Sequence, residues 1–255
     1  MPLAAFDLEI ATELPDDDRD WWKHGPLGIS CAGLMREGSD ADPVVMFDPD
    51  AEPHLFDPAA KRLTREGATM LVDALSDAVR RGFTIVTWNG LGFDFRLLAL
   101  ETGLVARCSE LARNSIDMMF QVVCVNGYML ALDKALAGMG LQSKLHAVRM
   151  NDGREAPISG REAPRLWQAG EYGAVMEYCA GDVRQTLALA RECDQRRRLT
   201  WTSQRGKAAM MSLSNGWLTV ERCLTLPEPD TSWMRDPVTR KRFTSWLESP
   251  SGGGA

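Results

Sequence analysis

The chain predicts an α/β domain built on a mixed β-sheet. Three short apolar runs, 3–8 ("LAAFDL"), 27–34 ("LGISCAGL") and 43–47 ("PVVMF"), are separated by Gly, Pro and Asp and read as a meander of strands. A helix and then a strand-turn-helix step follow, so strands come first and alternation afterwards. With 255 residues, 45% hydrophobic and 25% charged, the composition is ordinary and globular, enough for one large domain or one domain with an appendage.

Each element has a local reason. Over Thr64–Arg81, Thr64 is a helix cap with Glu66 and Gly67 behind it, and Met70, Leu71, Leu75, Ala78 and Val79 recur at helical spacing until Gly82. Phe83–Trp88 is a strand, "NGLG" a turn, and a helix runs from about Phe93 to Glu101. A short strand near Ser115–Met118, a helical stretch over Leu132–Met139 and a longer helix from about Glu171 to Arg198 complete the pattern. Gly, Pro and charge fill Gln142–Arg165, which reads as a long loop of the kind usually functional or mobile. Beyond Leu199 the composition shifts: Trp201, Trp217, Trp233 and Trp246 fall there, and Pro227, Pro229 and Pro237 interrupt any long helix. The expected organisation is a domain over 1–200, an extension over 201–248 packed on it, and a disordered tail over 249–255.

Several classes are excluded. The six cysteines form no Cys-x-x-Cys pair and His24, His54 and His146 are scattered, so neither a zinc site nor a disulfide framework is expected, and a reducing compartment is. No basic-then-apolar leader and no apolar run of membrane-spanning length is present, which predicts a cytoplasmic protein without a membrane partner. A net charge of −6 weighs against a general nucleic-acid coat, yet it suits a nuclease, which needs clustered carboxylates and only locally concentrated basic residues.

The chemistry sits in three short motifs. Asp7 and Glu9 in "FDLEIAT" are two apart on a strand, so both point the same way and repel unless a cation lies between them; the plainer alternative is a polar strand face in water. "NGLGFD" places Asn89, Phe93 and Asp94 where a strand enters a helix, a position where an acid also serves as a cap. In "YCAGD", Tyr178 and Asp182 lie four apart on the long helix, flanking the apolar stripe Met176, Cys179, Val183, Leu187 and Ala190, where a helix meets the rim of a cleft. The alternative for Asp182 is a solvated acid paired with Arg184 or Arg191, and Asp117 reads as a helix cap.

Together and in this order, "FDLE", "NGLGFD" and "YCAGD" resemble the three exonuclease motifs of the DEDD superfamily of 3′–5′ exonucleases, in the tyrosine-bearing branch typified by the proofreading domains of family B DNA polymerases. The resemblance covers about residues 1–200 and implies a ribonuclease H-like fold, a five-stranded mixed sheet flanked by helices with the acids at one edge. It implies that Asp7, Glu9, Asp94 and Asp182 are metal ligands and that Tyr178 orients the attacking water. The histidine branch would carry His where this chain has Glu177, and the commoner pattern has Thr where this chain has Ile10. Polymerase motifs are absent, so a stand-alone enzyme is expected.

Phosphodiester cleavage needs a nucleophile near neutral pH and a stabilised leaving oxygen, and two divalent ions roughly 3.5 to 4 Å apart supply both. Hard oxygen ligands suit Mg²⁺ or Mn²⁺, with Asp7 as the expected bridge, Glu9 and Asp182 on one ion and Asp94 on the other. The expected substrate is a single-stranded 3′ end, DNA favoured over RNA, cut to nucleoside 5′-monophosphates. Asn89 and Phe93 are candidate substrate contacts. Trp21 and Trp22, followed by Lys23 and His24, either stack on a terminal base or pack as a hydrophobic lid. Arg154, Arg161 and Arg165 are candidates for the phosphate backbone, and Arg196, Arg197 and Arg198 for the carbonyls at the long helix's end. The rival reading is a binding module of the same fold without catalysis; a Ca²⁺-binding protein lacks its Asp-x-Asp-x-Asp-Gly loop.

Overall fold

The computed structural model describes residues 1–15, 21–38 and 44–247. Strand β1 (Leu3–Ile10) is followed by its antiparallel neighbours β2 (Ile29–Arg36) and β3 (Val44–Met46), the meander expected from the apolar runs. A small hairpin of β4 (Phe56–Asp57) and β5 (Arg62–Leu63) leads into helix α1 (Arg65–Arg80), which is capped as expected: Thr64 Oγ1 accepts from the Gly67 amide at 3.2 Å. This helix is the crossover that a parallel return requires, and β6 (Thr84–Thr87) then pairs parallel with β1. After α2 (Asp94–Thr102) and α3 (Val105–Asn114), strand β7 (Ile116–Asp117) adds parallel to β6. The result is an α/β structure whose mixed sheet, among the described residues, has the order β3-β2-β1-β6-β7.

Helices α4 (Met118–Asn126) and α5 (Leu132–Met139) follow, then a hairpin of β8 (Ala147–Arg149) and β9 (Glu155–Pro157), helix α6 (Ala163–Gln168) and the long α7 (Tyr172–Arg196). The chain ends with a hairpin of β10 (Arg198–Thr202) and β11 (Ala208–Ser212) and two short helices, α8 (Val220–Cys223) and α9 (Lys241–Thr244).

Four features depart from expectation. The second strand begins at Ile29 rather than Leu27 because Gly28 takes a left-handed φ of 62°, which no strand tolerates. The segment 142–165 is not one long loop; it contains β8, β9 and the start of α6, whose strands are too short to display an alternating pattern. Helix α4, "MMFQVVCVN", is buried around most of its circumference and so has no amphipathic stripe. Helix α3 buries only Cys108, Leu111 and Ala112, a stripe too small to stand out.

The alternation of β1 sorts the core. Phe6 packs towards Phe95 of α2, with ring centroids 6.2 Å apart, and Ala4 and Leu8 share that face. Leu3 and Ala5, with Asp7 and Glu9 in the same register of alternation, face the side covered by α7. Gly33 lies opposite Asp7 in the β1-β2 ladder, and a Cβ there would come within 2.7 Å of Val183 Cγ2. Its bare backbone therefore lets α7 lie close against the sheet beside Asp7.

Beyond Arg198 the chain stays on the domain. Thr200 Oγ1 donates to the Gly138 carbonyl at 2.6 Å, Trp217 Nε1 to Ala190 at 3.1 Å, and Trp201 and Trp246 are buried, while Trp233 is 66% exposed. The tail expected over 249–255 lies outside the described residues. All six cysteines are buried free thiols, and among the described residues no helix is long and apolar enough to cross a membrane.

Candidate active site

Asp7 and Glu9 stand at the end of β1 where its neighbours let go. The ladder with β6 ends at Ala5 and Val86, and the register with β2 shifts between Glu9 and Ile10, a bulge of the kind that re-aims side chains beside active sites. Beyond the ladder's end the Leu8 amide donates to Asp94 Oδ1 at 3.0 Å. Asp94 opens α2, where the helix dipole favours a negative charge, and this bond ties it to the strand that carries Asp7 and Glu9.

The turn before Asp94 is held by Asp117. Its carboxylate caps α4 by accepting from the Phe120 amide at 2.9 Å, as expected, and also accepts from the amides of Asn89 at 3.0 Å and Leu91 at 2.9 Å. Asn89 adopts a left-handed φ of 74°, a conformation Asn accepts more readily than most residues.

Tyr178 and Asp182 come from α7. They line the cleft, as the flank position suggested, and are 1% and 5% exposed, with the segment before β8 packed against them. From it Lys144 places Nζ 2.5 Å from Asp182 Oδ2 and 4.9 Å from the centroid of the Tyr178 ring. Two bonds pin that segment: the Lys144 amide donates to Asp133 Oδ1 at 2.9 Å and Gln185 Nε2 to the Ser143 carbonyl at 2.5 Å. Lys144 is thus the ion-pair partner of Asp182, while Arg191, one of the two arginines considered for it, pairs with Glu37.

Crowding of acids dominates the electrostatics. Burial, then the charges of Asp94, Asp182 and Glu9, holds Asp7 well above the usual carboxylate range. Burial followed by Asp182 pushes Glu9 to about 8, and burial, opposed by the hydrogen bond from Leu8 and aided by Asp117 and Asp182, pushes Asp94 to about 7. Asp182 is also raised by burial, although Lys144 and Tyr178 both pull it down. Lys144 is lowered by burial but carried above its ordinary value by Asp182, Asp7 and Glu9. Burial and the anions Glu9, Asp182 and Asp7 push the Tyr178 phenol far up, so it keeps its proton.

The donor set suits a hard divalent cation. One carboxylate oxygen from each of Asp7, Glu9 and Asp182 lies within 4.8 Å of the others, all ligands are oxygen, and Asp182 Oδ1 is buried without a hydrogen-bond partner. A bound cation would relieve the mutual repulsion of these acids, which the single charge of Lys144 only partly offsets.

One small cleft gathers Asp7, Glu9, Asp94, Tyr178, Asp182 and Lys144 with Asn89, Phe93 and Trp21. Trp21 and Trp22 form a short 3-10 turn, Trp21–His24, whose rings meet Phe93 at centroid distances of 5.5 and 5.7 Å. Trp21 lines the cleft; Trp22 instead packs behind Phe93 with the Arg96 guanidinium 4.0 Å over its ring. None of the three arginines expected at the phosphate backbone lines this cleft, although Gly160, next to Arg161, does. Arg154 sits at the β8-β9 turn paired with Asp152, Arg161 is exposed and outside the cleft lining, and Arg165 approaches Glu13 at 3.8 Å. Sequence reasoning missed Lys144; its signal was the polar, Gly- and Pro-rich segment in which it lies, since no spacing links it to the acids. A scan against protein-family models finds no match for this chain, and a search of the curated proteins finds none.

Proposed function

We propose that the protein is a metal-dependent 3′–5′ exonuclease of ribonuclease H-like fold, acting on single-stranded nucleic acid and releasing nucleoside 5′-monophosphates. The observation that carries the reading is the meeting of Asp7, Glu9, Asp94, Asp182 and Tyr178, from three distant stretches of chain, in one cleft whose mouth is aromatic. The sheet order, with β1 between antiparallel β2 and parallel β6, supports the fold assignment. Six free thiols favour a reducing, cytoplasmic setting.

Asp7, Glu9 and Asp182 would hold one Mg²⁺ or Mn²⁺, and Asp7 with Asp94 a second. When bound, such a pair makes water a nucleophile near neutral pH and stabilises the leaving 3′ oxygen. The chain's own groups do the rest. Tyr178, protonated, offers a hydrogen bond that orients the attacking water. Lys144 favours the charged form of Asp182, against the effect of burial, and holds it in place. Phe93 and Trp21 present ring faces and edges to a terminal base, which favours a frayed or single-stranded end over a stacked duplex. The test is incubation of labelled single-stranded DNA and RNA with the protein and with Asp7→Asn. Mononucleotide release by the parent, lost in the variant, is expected; equal release by both removes the proposal.

A further inference from the structure

The last described stretch of the chain reaches back to the catalytic turn. Trp246 Nε1 donates to the carbonyl of Leu91 at 2.8 Å, and Phe243 occupies the space beside Gly92, where a Cβ would come within 2.7 Å of the Phe243 ring. Leu91 and Gly92 lie inside the turn that carries Asn89, Phe93 and Asp94. Both aromatic residues are buried, Phe243 at 2% and Trp246 at 7% exposure.

The stretch is itself anchored. The Arg240 guanidinium donates to the carbonyls of Leu226 and Pro227, each at 2.7 Å, and of Leu224 and Cys124, each at 3.3 Å; the Val238 amide donates to Gly127 at 2.9 Å. Cys124 and Gly127 are at the C-terminal end of α4, and Asp117 at its N-terminal end holds the amides of Asn89 and Leu91. Between them, the ring of Phe120 on α4 lies 5.5 Å from that of Phe243. The segment 238–247 thus straps α4 and reaches the turn through Leu91 and Gly92, the first of which Asp117 also holds through its amide.

We infer that this strap sets the geometry of the turn, and that Trp246 is a positioning residue for Asp94 and Asn89. The inference rests on the proposed nuclease site for its functional consequence. Leu91 is gripped through its amide by Asp117 and through its carbonyl by Trp246, so loss of either bond frees a peptide three residues from Asp94. A residue that only stabilised the fold would change the melting temperature without changing turnover well below it. A residue that positions the turn changes turnover and cation affinity in the intact fold.

The experiment compares the full-length protein with Trp246→Phe, which keeps an aromatic ring and removes the indole donor, and with Phe243→Leu. Trp233→Ala, an exposed tryptophan of the same extension, is the control. Mn²⁺ binding is read by calorimetry and oligonucleotide turnover is read at least 15 °C below each variant's melting temperature, on protein with parental circular dichroism. Trp246→Phe is expected to lose about 3- to 10-fold in turnover and in Mn²⁺ affinity, with Phe243→Leu in the same direction and Trp233→Ala parental. Parental turnover and Mn²⁺ affinity in Trp246→Phe would overturn the inference. Should the parent cleave no oligonucleotide, the nuclease reading fails by itself, and the Mn²⁺ comparison still decides whether the strap shapes the acid site.

Discussion

Lys144 and Asp182 form a one-sided pair. Lys144 Nζ lies 2.5 Å from Asp182 Oδ2, whereas Oδ1 of the same carboxylate, also buried, has no hydrogen-bond partner. A carboxylate held by a cation through one oxygen and bare at the other leaves an oxygen open for the cation of the proposed site. Removing the lysine while keeping its apolar stem, Lys144→Met, leaves that acid buried without counter-charge. The metal-free variant should lose about 1–3 kcal/mol of stability at pH 8 and less at pH 5, where Asp182 can take up a proton instead. Urea denaturation at the two pH values in EDTA measures the difference; equal losses would remove Lys144 from the charge balance.

The raised acids give the metal-free protein an inverted pH profile. Asp94 and Glu9 titrate at about 7 and about 8 in the fold, against about 4 in an unfolded chain. Across that interval the folded state binds more protons than the unfolded, so stability falls as pH rises; the contribution is complete below about pH 4 and gone above the folded values. The urea midpoint in EDTA should therefore fall between pH 6 and pH 8.5. Mg²⁺ or Mn²⁺ should restore it, and more strongly at the higher pH. A midpoint unaffected by either ion at pH 8.5 would contradict cation binding by these acids.

Asp7 stands among three like charges, so Asp7→Asn should separate stability from activity. Relieving the repulsion is expected to raise the metal-free melting temperature, while losing the shared ligand should lower turnover by more than about 1,000-fold. Scanning calorimetry in EDTA and a single-turnover assay read the two effects. A destabilised, fully active variant would be the opposite result.

Tyr178→Phe keeps the buried ring beneath Lys144 and removes one hydroxyl. Loss of one orienting hydrogen bond at the reacting centre costs about 1.4–2.7 kcal/mol, or about 10- to 100-fold in rate. Cation affinity should hardly move, because the phenol is not a ligand in the proposed site. Single-turnover cleavage with Mg²⁺ titrated for both proteins separates the terms, and an unchanged rate would place Tyr178 outside the reaction.

What could be read from the sequence followed from regular spacing. Asp7 and Glu9 share a strand face because they are two apart, Tyr178 and Asp182 share a helix face because they are four apart, and the apolar runs of the meander announce β1 to β3. Lys144 could not be found that way, since it reaches Asp182 from an irregular segment nearly forty residues earlier, and only tertiary packing sets that distance. The same holds for Asp117, legible as a cap of α4 but not as the acceptor for Asn89 and Leu91. Trp246 meets Leu91 across 155 residues, a contact no local pattern encodes. Conversely, charge alone singles out Arg154, which lies at the tip of the β8-β9 hairpin paired with Asp152, and charge does not say which way a hairpin tip points.

The most direct test uses one single-stranded oligonucleotide, labelled at its 5′ end and bearing a free 3′ hydroxyl, incubated with the parent protein and Mg²⁺ or Mn²⁺ or with EDTA. The expected result is a ladder of labelled products that shortens one nucleotide at a time with either ion and does not form in EDTA. Immediate release of labelled mononucleotide, internal cuts, or an intact oligonucleotide with both ions would contradict a 3′–5′ exonuclease built on Asp7, Glu9, Asp94 and Asp182.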